Sequence, residues 1–197
     1  GAITADYGKV EELTLKITDL LTKAKTAKIV KDNCTLKLNL ENRNGVASTG
    51  VYKKPGTSGN LPSGEGFIAP VEGTTEGEMI IDGSMVGVGK LSEPLHVKIE
   101  KGVLVELKGK DADKLGVLFN NKNNSSVCEL GIGTNMNARI TGIILEDEKV
   151  YGTVHIAFGT NTSFGGNIKA DCHMDGIILE PDLYLDDVLV LSKGKFL

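Results

Sequence analysis

Tryptophan is absent from these 197 residues, and aromatic side chains make up only 5% of them. A core must therefore be assembled from Ile, Leu and Val rather than from large rings. Cysteine is scarce as well. Cys34, Cys128 and Cys172 are irregularly spaced, which excludes a disulfide framework and a CxxC zinc motif and makes a reduced, cytoplasmic setting the default. Basic residues are not in excess: 22 Lys and Arg stand against 26 Asp and Glu, for a net charge of −4. That balance argues against nucleic acid as a partner, which would need a basic face. No apolar run approaches the roughly 18 residues of a membrane span. The opening Gly1-Ala-Ile-Thr-Ala-Asp6 lacks the charged start and apolar stretch of a signal peptide, and residues 1–5 read as a tag remnant or linker.

What is abundant is glycine, 25 residues placed between short β-branched runs, the pattern of many turns joining strands. Asp6 to Lys25 has Leu13, Ile17, Leu20, Leu21 and Ala24 at helical spacing, with Asp6 as N-cap. From Ala27 the period changes to two, in Ala27–Lys31 and Thr35–Glu41. Thr49 to Glu65 reads as loop. Strand signals follow at Gly66–Pro70, Gly77–Gly83, Leu95–Glu100 and Val103–Leu107, then a short helix over Asp111–Phe119. Further strands are expected at Cys128–Ile132, Ala138–Leu145, Val150–Phe158, Ile168–Asp175, Gly176–Leu179, Leu183–Leu185 and Val188–Leu191. The fold class is strand-dominated α+β: one domain spanning 1–197, a curved mixed or antiparallel sheet or barrel-like body carrying an N-terminal helix and one short helix.

Glycine-rich Gly87-Val-Gly-Lys90 and Gly131-Ile-Gly-Thr-Asn135 lack Walker spacing and a βαβ setting, so their glycines read as turns. No GxSxG elbow is present. Cys172 and His173 are strand neighbours facing opposite sides, which excludes a direct nucleophile–base pair. Metal chemistry is better supplied. Asp171, His173 and Asp175 share a strand face, with His173 and Asp175 roughly 6.5–7 Å apart at Cα, close enough to converge on an ion. His155 shares the less apolar side of its strand with Tyr151, Thr153 and Ala157; spacing alone fits a structural histidine as well as a ligand. Glu65 and Glu129, taken singly, are ordinary edge charges, and His96 faces outward.

Taken together, Leu61–Thr74, Glu129–Asn135, Leu145–Lys149, Gly152–Gly159, Phe164–Gly166 and His173–Gly176 resemble, in order and spacing, the dinuclear metalloaminopeptidases of the aminopeptidase T and aminopeptidase S type. The resemblance implies an enzyme with two divalent ions (zinc, cobalt or manganese), held by Glu65, Glu129 as bridge, His155 on one ion, and His173 with Asp175 on the other. It implies a further carboxylate at Glu148, with Glu146 as alternative, and a proton shuttle by Glu148 or Glu129. It implies removal of the N-terminal residue from a peptide with a free N-terminus, and a homodimer. The family tyrosine has no counterpart in Gly159-Thr-Asn-Thr-Ser163, and family enzymes carry an additional N-terminal α/β domain. The chain is therefore expected to be a metalloaminopeptidase catalytic domain. The alternative is a metal-retaining, inactive domain with an oligomerisation or regulatory role, and a purely structural β-domain is a third reading.

Overall fold

The computed structural model describes residues 1–197. Helix α1 (Tyr7–Lys23) is capped by Asp6, whose carboxylate accepts from the N–H groups of Gly8 and Lys9. The strands are β1 (Thr26–Lys31), β2 (Cys34–Asn39), β3 (Val46–Ser48), β4 (Glu65–Ile68), β5 (Glu76–Ile81), β6 (Ser84–Met85), β7 (Gly89–Lys90), β8 (Leu95–Glu100), β9 (Val103–Lys108), β10 (Val127–Gly133), β11 (Val154–Gly159), β12 (His173–Ile178), β13 (Asp182–Leu185), β14 (Val188–Ser192) and β15 (Lys195–Phe196). Short helices α2 (Ala112–Gly116) and α3 (Ile144–Asp147) interrupt them. No helix is long and apolar enough to cross a membrane.

The strands form two antiparallel sheets and no closed barrel. One runs β15-β14-β13-β1-β2-β5-β8-β9, the other β3-β4-β10-β11-β12-β6-β7. Between them lies a core of aliphatic side chains from both sheets, Ile29, Leu36, Met79 and Val97 against Leu130, Ile132, Val154, Ile156 and Phe158, closed at one end by Ile17 and Leu21 of α1. Few aromatics are needed because alternating strands deliver Ile, Leu and Val to the same layer.

Period two then fixes what the second sheet shows on its other face. Leu130 and Ile132 of β10 and Ile156 and Phe158 of β11 point into the core, so Glu129, Gly131 and Gly133, with His155 and Ala157, must point away from it. The register puts Glu129 opposite Ala157, Ala157 opposite Asp175, and Gly131 opposite His155. Gly133 lies opposite Glu65. Four neighbouring strands thus present their polar residues side by side.

One expected strand is absent and another starts late. Over 138–145 the chain turns back and enters α3, because the buried Asp147 carboxylate accepts from the N–H groups of Thr141 at 2.7 Å and Gly142 at 2.8 Å. Residues 168–172 are loop, held by Asn161, whose Oδ1 accepts from the Ile168 N–H at 2.8 Å. The strand beyond is continuous from His173 through Gly176 to Ile178.

Candidate metal centre

Two groups of side chains on this outer face bring their donor atoms within 4.8 Å of one another: Glu65, Glu129 and His155, and Glu129, His173 and Asp175. Glu129 belongs to both. Its Oε1 lies 3.2 Å from His155 Nε2 and its Oε2 lies 3.3 Å from His173 Nε2. His155 is fully buried and Glu65, Glu129 and Asp175 nearly so, whereas the His173 side chain keeps 31% of its surface exposed. The second group is the one solvent reaches.

The floor explains how so many polar groups fit. A Cβ on Gly131 would stand 2.0 Å from His155 Nε2; glycine there lets the imidazole lie across the neighbouring strand and reach Glu129. Gly131 and Gly133, expected as turn residues, are strand residues whose missing side chains make room. His155 is not on a wetter side of β11, since every residue of that strand is buried.

His173 has a defined polarity. Its Nδ1 donates to the Thr160 carbonyl at 2.9 Å, which leaves Nε2 free to offer a lone pair. That atom faces Glu129 Oε2 and, at 3.5 Å, Asp175 Oδ1. Asp175 Oδ1 has no hydrogen-bond donor although it is buried, and neither Glu65 Oε2, 3.4 Å from His155 Nε2, nor His155 Nδ1 has a hydrogen-bond partner. A buried carboxylate oxygen without a donor costs free energy unless a cation meets it. The donor set, imidazole and carboxylate without thiolate, suits a borderline or hard divalent ion. Cys128 Sγ lies 3.6 Å from His173 Nδ1, but burial pushes its thiol up to about 11, so it stays protonated. Phe164 sets its edge against both Phe67 and His173, with ring centroids 5.3 and 6.0 Å apart, and both phenylalanines are half-buried.

Without an ion, protons take its place. Burial alone would lower His155, but its hydrogen bond to Glu129 and the charges of Glu65, Glu129 and Asp175 lift it from 6.5 to about 9. Burial likewise opposes the charge on Glu129, yet the two histidines hold it down at about 2. Glu148 is raised from 4.5 to about 7 by burial and by Glu65. The raised His155 stabilises the fold fully below pH 6.5 and loses that contribution by about pH 9. Raised Glu148 acts with the same sign between 4.5 and 7, and the depressed Glu129 matters only below 4.5. The ion-free chain is therefore expected to lose stability steadily from pH 5 to 9, by roughly 3 kcal/mol from His155 alone. The gain in melting temperature on adding a divalent ion should widen as pH rises, because the ion displaces the proton that Asp175 and Glu129, against the opposing effect of burial, hold on His173. Thermal melts with and without metal test this; an ion-free melting point that is flat or rising with pH would contradict it.

Five of the expected site residues, Glu65, Glu129, His155, His173 and Asp175, are brought together. Glu148 is not among the two groups; it is paired with Lys149. Glu146 turns away, its Oε1 accepting from the Arg139 N–H at 3.3 Å. Asp171 is exposed. Reading by spacing missed Lys149, whose side chain is 1% exposed with Nζ 2.6 Å from Glu65 Oε1, and it missed Thr160 and Phe164. A lysine after three acids in a polar segment carries no sequence mark of burial.

Comparison with known proteins decides the family. A family model described as NicX, 2,5-dihydroxypyridine 5,6-dioxygenase, matches residues 7–197. The chain belongs to the 2,5-dihydroxypyridine 5,6-dioxygenase family. The curated 2,5-dihydroxypyridine 5,6-dioxygenase of Pseudomonas putida KT2440 is 30% identical over 165 residues, covering 76% of this chain and 47% of that protein. A solved structure of the dihydroxypyridine dioxygenase from the same organism superposes with a TM-score of 0.84 at 26% identity, over 98% of this chain and 60% of that one. The chain thus spans about half the length of the curated relative it matches. Wild-type AmpT from Thermus thermophilus also superposes, with a TM-score of 0.77 at 18% identity, over 97% of this chain and 55% of that one.

Membership in the dioxygenase family overturns the aminopeptidase reading, and with it the hydrolase activity and the peptide substrate with a free N-terminus. The motifs misled because they mark a scaffold. At 18% identity AmpT shares the fold, and a sheet face that gathers carboxylates and imidazoles does not by itself say what an ion held there will activate. The alternative of an inactive regulatory domain gains no support. What stands of the metal expectation is that the dioxygenase-family chain carries residue groups able to hold an ion.

Proposed function

We propose that this chain is the metal-bearing unit of a ring-cleaving dioxygenase that acts on a dihydroxylated pyridine, as its relatives' name describes. The observation that carries this reading is the polarity of His173. With Nδ1 committed to Thr160, its Nε2 converges with Glu129 and Asp175 on the solvent-reachable side of the sheet. Those three side chains would hold one divalent ion from one side and leave its other positions to substrate. Divalent iron supplies the redox capacity for dioxygen that zinc, with a filled d shell, lacks. His155 lies behind, hydrogen-bonded to Glu129, and fixes which way that carboxylate points. Phe67 and Phe164 offer an aromatic edge beside His173, against which a flat heteroaromatic ring can pack.

In the reaction so assigned, the bond between ring carbons 5 and 6 breaks and both atoms of dioxygen enter the ring-opened product. The test loads the chain anaerobically with ferrous iron, mixes it with air-saturated 2,5-dihydroxypyridine, and follows dioxygen with an electrode and the substrate by absorbance. One dioxygen consumed per ring lost is expected with iron and none with zinc. An iron-loaded chain that consumes neither overturns the reading.

A further inference from the structure

Lys149 is the least expected residue of this centre. Its ammonium is buried at the inner end, 2.6 Å from Glu65 Oε1 and in contact with Glu148 Oε1. Lysine is rarely buried unless paired, and here the fold goes to some length to bury it. The Asn135 N–H donates to the Lys149 carbonyl at 2.9 Å. A Cβ on Gly133 would meet the carbonyl carbon of Lys149 at 2.8 Å and the Val150 carbonyl oxygen at 2.0 Å. The segment carrying Lys149 is thus pressed against bare backbone. Asp147, holding the turn just before it, fixes where the side chain starts.

The inner group, Glu65, Glu129 and His155, has the ligand types of a second ion site. We infer that Lys149 is the resident cation of this inner half, that its ammonium takes the place of a second divalent ion, and that the centre therefore holds a single ion, at Glu129, His173 and Asp175. A divalent ion on Glu65 Oε2, the oxygen facing His155, would stand beside an ammonium bound to the other oxygen of the same buried carboxylate, where burial leaves the repulsion poorly screened. Glu65 and Glu148 are then partners of lysine rather than of metal. Glu129, shared between the halves, is oriented from behind by His155.

This inference rests on the proposed function only in taking the outer group to bind metal, and metal content separates the two. The purified chain is dialysed to equilibrium against zinc alone, and separately against cobalt(II) alone, and bound metal is counted by mass spectrometry. One ion per chain is expected for the wild type. Lys149→Met keeps an unbranched side chain, removes the charge, and should bind two. Glu65→Gln should keep one ion and an unchanged cobalt absorption spectrum, because Glu65 is not its ligand. Two ions in the wild type, one in a folded Lys149→Met, or loss of the ion in Glu65→Gln would each overturn the inference while leaving the dioxygenase reading intact. No metal in the wild type would sink both. If Lys149→Met does not fold, the wild-type count and Glu65→Gln decide between them.

Discussion

Replacing His173 with alanine abolishes iron-dependent turnover and lowers metal affinity by at least ~100-fold, the upper end of what losing even an indirect partner of a metal costs. His173 supplies the one nitrogen of the outer group, and the Thr160 carbonyl, 2.9 Å from Nδ1, holds that nitrogen in place. Alanine leaves Glu129 and Asp175, two carboxylates with no third ligand between them. The fold should survive, because the side chain is partly exposed and packs at the edge of Phe164 rather than in the aliphatic layer. A loss of about 1–3 kcal/mol in the ion-free chain is the expected size for one partly buried charged group. Metal content after gel filtration, dioxygen uptake and circular dichroism together check this. A His173→Ala protein that keeps its ion would remove the outer group from the argument.

Gly131→Ala is the second substitution with a large expected effect, and it adds one methyl group. Its Cβ would meet His155 at Nε2, Cε1 and Cδ2, at 2.0, 2.3 and 2.8 Å. Either the imidazole leaves Glu129, which then loses its 3.2 Å partner, or β10 and β11 separate at the middle of the sheet. Overpacking of this kind costs about 1–3 kcal/mol in a well-packed site. Metal binding should weaken with stability, since Glu129 serves the outer ion. Gly116→Ala is the control. It lies in α2 with nothing within 4 Å of the added Cβ, so it should be neutral or stabilise by about 0.4–1 kcal/mol. If the two variants melt alike, the glycine floor is not what seats His155.

Much of this was legible without coordinates. The α1 cap at Asp6, the strand pattern and the aliphatic core follow from local periodicity. The shared face of His173 and Asp175 follows from a period of two. Glu65 and Glu129 gave no such signal, because an isolated acid in a glycine or apolar setting looks the same at an exposed edge as at a buried centre. They became candidate ligands only through a resemblance, whose implied activity the family match overturned. The absent strand at 138–145 and the late start of the one expected over 168–175 have one reason: each segment is bent by a side chain elsewhere, Asp147 or Asn161, and local pattern does not register such a tie.

By itself, then, the order of residues determined the secondary structure of most of the chain, the composition of the core and the supply of imidazole and carboxylate. Those properties depend on neighbours a few positions apart. The tertiary structure alone decided that Glu65, Glu129, His155 and the His173–Asp175 pair meet on one sheet face, that bare glycines make room for them, and that Lys149 is buried in their midst. Contacts between strands tens of residues apart are set by register and packing, and it is there that a scatter of acids and histidines becomes two halves of a centre, one lined for metal and one closed by an ammonium.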